Sequence, residues 1–106
     1  MNTRERLTKT IQTILHAHDI QVEQIYLFGS RAQGTARPDS DWDVYVLVED
    51  DLAFAERRRL TTEIKRELAR QRIPNDVLIK SNKQFQASKI YPGQIAYTVA
   101  REGIPL

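Results

Sequence analysis

Apolar residues recur along the chain first at helical spacing and then in short continuous runs. Leu7, Ile11 and Leu15 fall on one helical face, which predicts a helix over residues 3–18. Residues 24–28 are apolar and aromatic and end at a glycine, which is typical of a strand buried on both faces. The chain is therefore predicted to open with a helix followed by a buried strand.

The remaining pattern predicts two more strands and three more helices. A polar loop over residues 30–40 follows the first strand, and a single helical turn could begin it at Ser30. The later elements are a strand over residues 42–48, a helix over 52–72, a strand over 76–80, a short helix capped by Ser81 or Asn82, and a last helix with Pro92 in its first turn and Gly103 at its end. The order α-β-β-α-β-α-α predicts an α/β fold, in which helices pack against a small mixed sheet of three or slightly more strands.

Composition narrows the class of protein. With 106 residues we expect one domain, residues 1–106, and the lack of cysteine excludes disulfides and thiolate chemistry. No run of 18 apolar residues and no apolar leader occur, so we expect a cytoplasmic protein that does not enter a membrane. A net charge of +2 does not predict nucleic-acid binding, and the basic run Arg57–Arg59 is interpreted as a solvated helix face because glutamates are interleaved nearby.

Two acidic residues flank the start of the second predicted strand. Because side chains alternate along a strand, Asp41 and Asp43 point to one face, whereas Trp42 and Val44 take the other. Carboxylates beside a buried strand repel each other, and a divalent cation between them relieves that repulsion. Oxygen ligands with no histidine or cysteine nearby favour Mg²⁺ or Mn²⁺ over zinc. The alternative interpretation is that both acids lie in a solvated loop, which is the commoner setting for an isolated Asp-x-Asp.

A glycine and a serine follow the first strand. A strand that ends at Gly29 and turns into a helix at Ser30 presents free N–H groups and a positive dipole end to a phosphate. Glycine also lets a phosphate approach without a Cβ in the way. Alone, the pair is equally consistent with a turn that carries an N-cap.

A third acid enters the third predicted strand. If that strand lies beside the second, Asp76 joins the face of the first two acids. Glu49 and Asp51 fit less well, since they lie about 20 Å or more from Asp43 along an extended strand. Asp39 remains a candidate for an outer position around the site.

Together these residues match a family pattern. Gly-Ser, ten residues, Asp-x-Asp and a later strand-borne Asp resemble the DNA polymerase beta superfamily of nucleotidyltransferases. The segment LFGSRAQGTARPDSDWDVYVLV is similar to the minimal nucleotidyltransferases (MNT proteins), and IYPGQIAYTVAREGIPL is similar to their closing helix. Trp42 departs from the pattern, because an aliphatic residue is commoner there, and this puts packing detail rather than the metal site in question. The resemblance implies a polymerase-beta-like fold over most of the chain.

The resemblance also implies roles for the candidate residues. Asp41 and Asp43 would bind two Mg²⁺ ions, and Asp76 would complete the site of the catalytic ion and help to deprotonate the acceptor hydroxyl. Gly29 and Ser30 would hold the β- and γ-phosphates of ATP. A nearby arginine, Arg31 or Arg37, could touch the triphosphate, or both could be exposed and solubilising.

The acceptor is implied by the same resemblance. Family members are often antitoxins of HEPN–MNT toxin–antitoxin pairs, in which AMP from ATP is placed on a tyrosine of the HEPN toxin, so a type VII-like pair is expected here. Two alternatives stay open, a small-molecule (antibiotic) nucleotidyltransferase and a non-catalytic antitoxin that acts by binding alone. The last helix and the stretch from Tyr91 to Tyr97 are candidate docking surfaces.

Overall fold

Helices cover both faces of one four-stranded sheet in the computed structural model, which describes residues 1–106. The elements are α1 (Thr3–Ala17), β1 (Val22–Phe28), α2 (Ser30–Gln33), β2 (Trp42–Val48), α3 (Phe54–Arg70), β3 (Asn75–Ser81), α4 (Asn82–Ser88), α5 (Ile95–Glu102) and β4 (Ile104–Pro105). The strand order is β3-β2-β1-β4, with β2 parallel to β3 and β1 antiparallel to both of its neighbours. The predicted fold, helices on a small mixed sheet, is confirmed.

Local signals in the sequence account for most of the element boundaries. The side chain of Asn2 accepts a hydrogen bond from the Glu5 amide at 2.8 Å and begins α1. Ser81 and Gln84 form a complete capping box at the start of α4. The helical turn at Ser30 is present as α2. No helix of the fold combines the length and the apolar character needed to cross a membrane.

Two details at the C-terminal end differ from the prediction. Pro92 is not in the first turn of the last helix, because Gly93 has a φ of 96°, and α5 begins only after the cap at Gln94. Residues Ile104 and Pro105 form a short strand, β4, that pairs with β1 at the sheet edge. A two-residue strand is too short to show an alternating pattern, so the sequence carried no signal for it.

Apolar layers lie on both faces of the sheet. The larger one packs α1 and α3 against the sheet and includes Leu7, Ile11, Leu15, Leu60, Ile64 and Leu68. The smaller one packs α4 and α5 on the opposite face through Tyr45, Leu47, Phe85, Ala96 and Val99. Strand β2 is buried on both sides, since Val44 and Val46 enter the first layer and Tyr45 and Leu47 the second. The acids at the start of β2 are therefore attached to the most firmly packed strand of the sheet.

Candidate active site

The turn that leaves β1 requires a glycine for two separate reasons. Gly29 has φ 73° and ψ −156°, a backbone conformation that side chains essentially forbid. A Cβ built on Gly29 would also collide with Oδ2 of Asp43 and come within 3.1 Å of its Cγ. The backbone of the turn and the carboxylate of the neighbouring strand therefore lie in direct contact, and Ser30 begins α2 immediately beside them.

The strand register brings two of the three candidate acids together. Asp43 of β2 is paired with Phe28 of β1 on one side and with Asp76 of β3 on the other. Because Asp43 and Asp76 are matched in a parallel pair, their side chains share one face of the sheet. Asp41 lies one residue before β2 and is exposed. The expectation that the third strand lies beside the second is thus confirmed.

The three acids influence one another electrostatically. Burial raises the pKa of Asp43 above its usual value, and the charges of Asp76 and then Asp41 raise it further. The ionised form of Asp43 is therefore less stable than it would be in water. A cation bound among these carboxylates would reverse the effect.

The acids do not form a ready-made metal cage. No group of three or more histidine, cysteine, aspartate or glutamate side chains is arranged closely enough to hold a metal ion. Asp76 instead makes an ion pair with Lys65 of α3, with 3.6 Å between Nζ and Oδ1; the Asp76 side chain is exposed and that of Lys65 is partly buried. The all-oxygen donor set and the mutual repulsion of the acids nevertheless fit a hard cation such as Mg²⁺, provided that the side chains turn toward it.

The other acids considered from the sequence are not among the charges that raise the pKa of Asp43, which are those of Asp76 and Asp41. Glu49 follows the last residue of β2, at the opposite end of that strand from Asp43. Asp39 is exposed in the loop before β2, two residues ahead of Asp41. The largest cavity, about 1060 Å³, is a groove between α1 and α3, and none of the five candidate residues lines it. The candidate site is therefore an open surface at one end of the sheet.

The sequence does not decide whether Arg31 or Arg37 could touch a triphosphate, and the structure places Arg31 in α2 and Arg37 in the loop that follows. The Arg31 guanidinium is half-buried and donates hydrogen bonds to the backbone carbonyls of Pro38 and Ser40. It also lies 4.6 Å from the centre of the Trp42 ring. Arg37 is exposed. Contacts between separate elements of the fold leave no periodic pattern in the sequence. Neither the contacts of Arg31 with the loop nor the ion pair of Lys65 with Asp76 could therefore be predicted.

Comparisons with known proteins agree with this geometry. A family model described as Polymerase beta, Nucleotidyltransferase matches residues 9–106. A solved toxin-antitoxin with AMP-PNP is 26% identical, with a TM-score of 0.59 over 92% of this chain and 69% of that one. A mutant of the toxin-antitoxin MntA-HpeT is 28% identical, with a TM-score of 0.59 over 93% and 70%. A protein assigned to the minimal nucleotidyltransferases is 25% identical, with a TM-score of 0.60 over 97% and 91%. No protein with a curated description matches the chain.

The raised pKa of Asp43 predicts a pH dependence of stability in metal-free buffer. The folded chain holds the carboxyl proton of Asp43 more tightly than the unfolded chain does. The free energy of unfolding therefore falls as pH rises from about 3.8, the ordinary pKa of an aspartate, through the raised pKa of Asp43. Asp43→Asn should abolish this loss and stabilise the protein at neutral pH by less than about 1 kcal/mol, because solvent screens the charge. Urea unfolding on both sides of the window measures the difference.

The matched control is Asp39→Asn, an exposed acid of the neighbouring loop. This variant should show the same difference in the free energy of unfolding between the two pH values as the wild type. If Asp43→Asn lowered stability at neutral pH, the carboxylate would be a stabilising group and the electrostatic description of the site would be wrong.

Proposed function

The chain belongs to the polymerase beta nucleotidyltransferase family, and we propose that it transfers AMP from ATP to a hydroxyl acceptor in a Mg²⁺-dependent reaction. The similarity to a minimal nucleotidyltransferase over 97% of the chain supports the general activity. The proposal includes ATP as the donor, Mg²⁺ as the metal and a hydroxyl group as the acceptor. It also includes a cytoplasmic location and a single nucleotidyltransferase domain over residues 1–106.

One observation carries the proposal. The glycine turn after β1 is in contact with the Asp43 carboxylate, and the parallel register sets Asp76 beside Asp43. A turn that can approach a phosphate and carboxylates that can hold its counter-ion thus share one end of the sheet. Transfer of a nucleotide needs both parts in fixed relation, because the protein contributes mainly position and electrostatics to such a reaction.

Each candidate residue has a role in this proposal. Asp41, Asp43 and Asp76 would hold Mg²⁺, which when bound stabilises charge on the attacking and leaving oxygens. The backbone at Gly29 and the hydroxyl of Ser30 would orient the β- and γ-phosphates, so that the α-phosphate faces the acids. Asp76 lies at the solvent side of β3 and would take the proton from the acceptor hydroxyl.

The acceptor we propose is a tyrosine of a HEPN-domain toxin, for which this chain is the antitoxin. Two similar structures are toxin-antitoxins, and one of them was solved with AMP-PNP. The openness of the site also supports a protein acceptor, because Asp41 and Asp76 are exposed and a side chain on a large partner can reach them. Small antibiotics are usually bound in an enclosing pocket, and none of the five candidate residues lines the largest cavity, the groove between α1 and α3.

A second candidate function is supported by the Lys65 contact. The ion pair with Lys65 offsets the negative charge of Asp76, one of the three acids, without a metal. A protein that neutralises its toxin by binding alone would tolerate that arrangement. The two candidates differ in whether the toxin is covalently modified.

Mixing the protein with ATP, Mg²⁺ and the product of a neighbouring gene, expected to be a HEPN-domain toxin, distinguishes these functions. We expect a stable complex, and intact-mass spectrometry should show the toxin gaining the mass of AMP on a tyrosine. Chelation of Mg²⁺ should prevent the gain, as should Asp41→Asn or Asp43→Asn, because each removes a carboxylate ligand. A complex with no mass gain would favour neutralisation by binding, and separate elution of the two proteins would contradict the partnership.

The proposed division of labour predicts a distinct phenotype for Asp76→Asn. This variant should retain most of its affinity for Mg²⁺–ATP but lose transfer by about 10²-fold or more, the scale of a missing general base. The reason is that the Asp76 carboxylate would stabilise the transition state more than it stabilises bound ATP. Transfer rate and ATP affinity should be measured on one preparation.

Asp51→Asn, which changes an exposed acid beyond the far end of β2, provides the matched control and should transfer AMP at the normal rate. Normal transfer by Asp76→Asn would remove this residue from the site. It would then be a surface acid whose partner is Lys65.

A further inference from the structure

Arg31 connects the two halves of the candidate site. It follows Gly29 and Ser30 directly, in the first turn of α2. Its Nη2 donates to the carbonyl oxygens of Pro38 at 3.2 Å and Ser40 at 2.9 Å, the second being the residue before Asp41. The same guanidinium lies over Trp42, the residue between the two acids, at 4.6 Å from the ring centre. One side chain thus contacts both ends of the segment that carries Asp41.

Little else holds this segment in place. Within the loop, the Ser40 amide donates to the Arg37 carbonyl, and the Arg37 amide donates to the Ser40 hydroxyl. Those contacts fix the local turn but not its position relative to α2. The Trp42 amide donates to Pro74 and so fixes the start of β2 against the segment that leads into β3. The Thr35 amide donates to the Ser30 carbonyl and holds the near part of the loop to α2. For Pro38 and Ser40, in the far part, the hydrogen bonds to α2 are those of Arg31.

The contacts require the chemistry of arginine in particular. A planar guanidinium can donate within its plane to two carbonyls while its face lies on an indole ring, whereas an ammonium group cannot do both. The Nε atom of Arg31 is buried and has no hydrogen-bond partner, which opposes this placement. The carbonyl contacts and the stack must outweigh that cost, so the side chain is held by its contacts with the loop.

We propose that Arg31 is a positioning residue that sets the position of Asp41 relative to the turn at Gly29 and Ser30, whereas the pairing of β1 with β2 already places Asp43 beside that turn. This inference rests on the proposed function for its catalytic consequence. In this role Arg31 acts through the loop rather than as a ligand of the triphosphate, and Trp42, the departure from the aliphatic residue common in the family, is its stacking partner.

The chain offers a direct optical readout, because Trp42 is its only tryptophan. Arg31→Ala should shift the Trp42 emission to longer wavelength, since removal of the guanidinium exposes the ring to water. It should also speed hydrogen exchange at the amides of Ser40 and Trp42. Arg31→Lys should behave like Arg31→Ala. The matched control Arg37→Ala, an exposed arginine of the same loop, should leave both signals unchanged.

Kinetics on the complex with its toxin test the catalytic consequence. Arg31→Ala and Arg31→Lys should lower kcat for AMP transfer by about 10²-fold, the scale of a 1 Å misplacement, with a smaller change in KM for ATP. Trp42→Leu removes the stack but keeps the carbonyl contacts, so it should give an intermediate loss and remains informative if Arg31→Ala does not fold. Thermal unfolding of each variant shows whether the rate is measured on folded protein.

The outcomes separate this inference from the proposed function. Emission and exchange in Arg31→Ala that match those of Arg37→Ala would overturn the positioning role, whether or not the wild type transfers AMP. A rise in KM for ATP at unchanged kcat would also overturn it and make Arg31 a nucleotide ligand. If the optical and exchange changes occur but the wild type transfers no AMP, Arg31 orders the loop and the proposed function is the part that fails.

Discussion

The contact between the backbone of Gly29 and the carboxylate of Asp43 is the constraint on which the candidate site depends. It is possible only because position 29 has no side chain and adopts φ 73° and ψ −156°. The antiparallel pairing of β1 with β2 places Phe28 opposite Asp43, so the turn that follows must pass directly beside the acid. A phosphate bound at the turn would therefore lie next to the proposed metal ligands without any movement of the main chain.

The same closeness has an electrostatic cost in the free protein. Three acids interact at the starts of β2 and β3, and Asp43 is destabilised as an anion by burial and by both neighbours. Lys65 offsets part of the negative charge through Asp76. Firm packing of β2 on both faces keeps the acids in place despite their repulsion. Repulsion among neighbouring carboxylates is typical of sites that bind a cation, because the bound cation offsets the repulsion.

Periodicity and turn chemistry were sufficient to predict most of the fold from the sequence. Leu60, Ile64 and Leu68 identified the buried face of α3, and the alternation from Trp42 to Val48 identified the two faces of β2. The neighbourhood of Asp43 and Asp76 followed once β2 and β3 were paired. The contacts of Arg31 and Lys65 could not be predicted, because they depend on where a loop and a helix lie in three dimensions. The catalytic roles of the acids remain predictions.

The central claim, that the Gly29 turn and Asp43 together bind Mg²⁺–ATP, is tested most directly by calorimetric titration of Gly29→Ala against Gly34→Ala. Both glycines have positive φ, 73° and 74°, but only Gly29 has a neighbour that an added Cβ would strike. We predict that Gly34→Ala binds Mg²⁺–ATP like the wild type, whereas folded Gly29→Ala shows no detectable binding. Equal affinity in the two variants, or binding by the wild type that does not depend on Mg²⁺, would contradict the account.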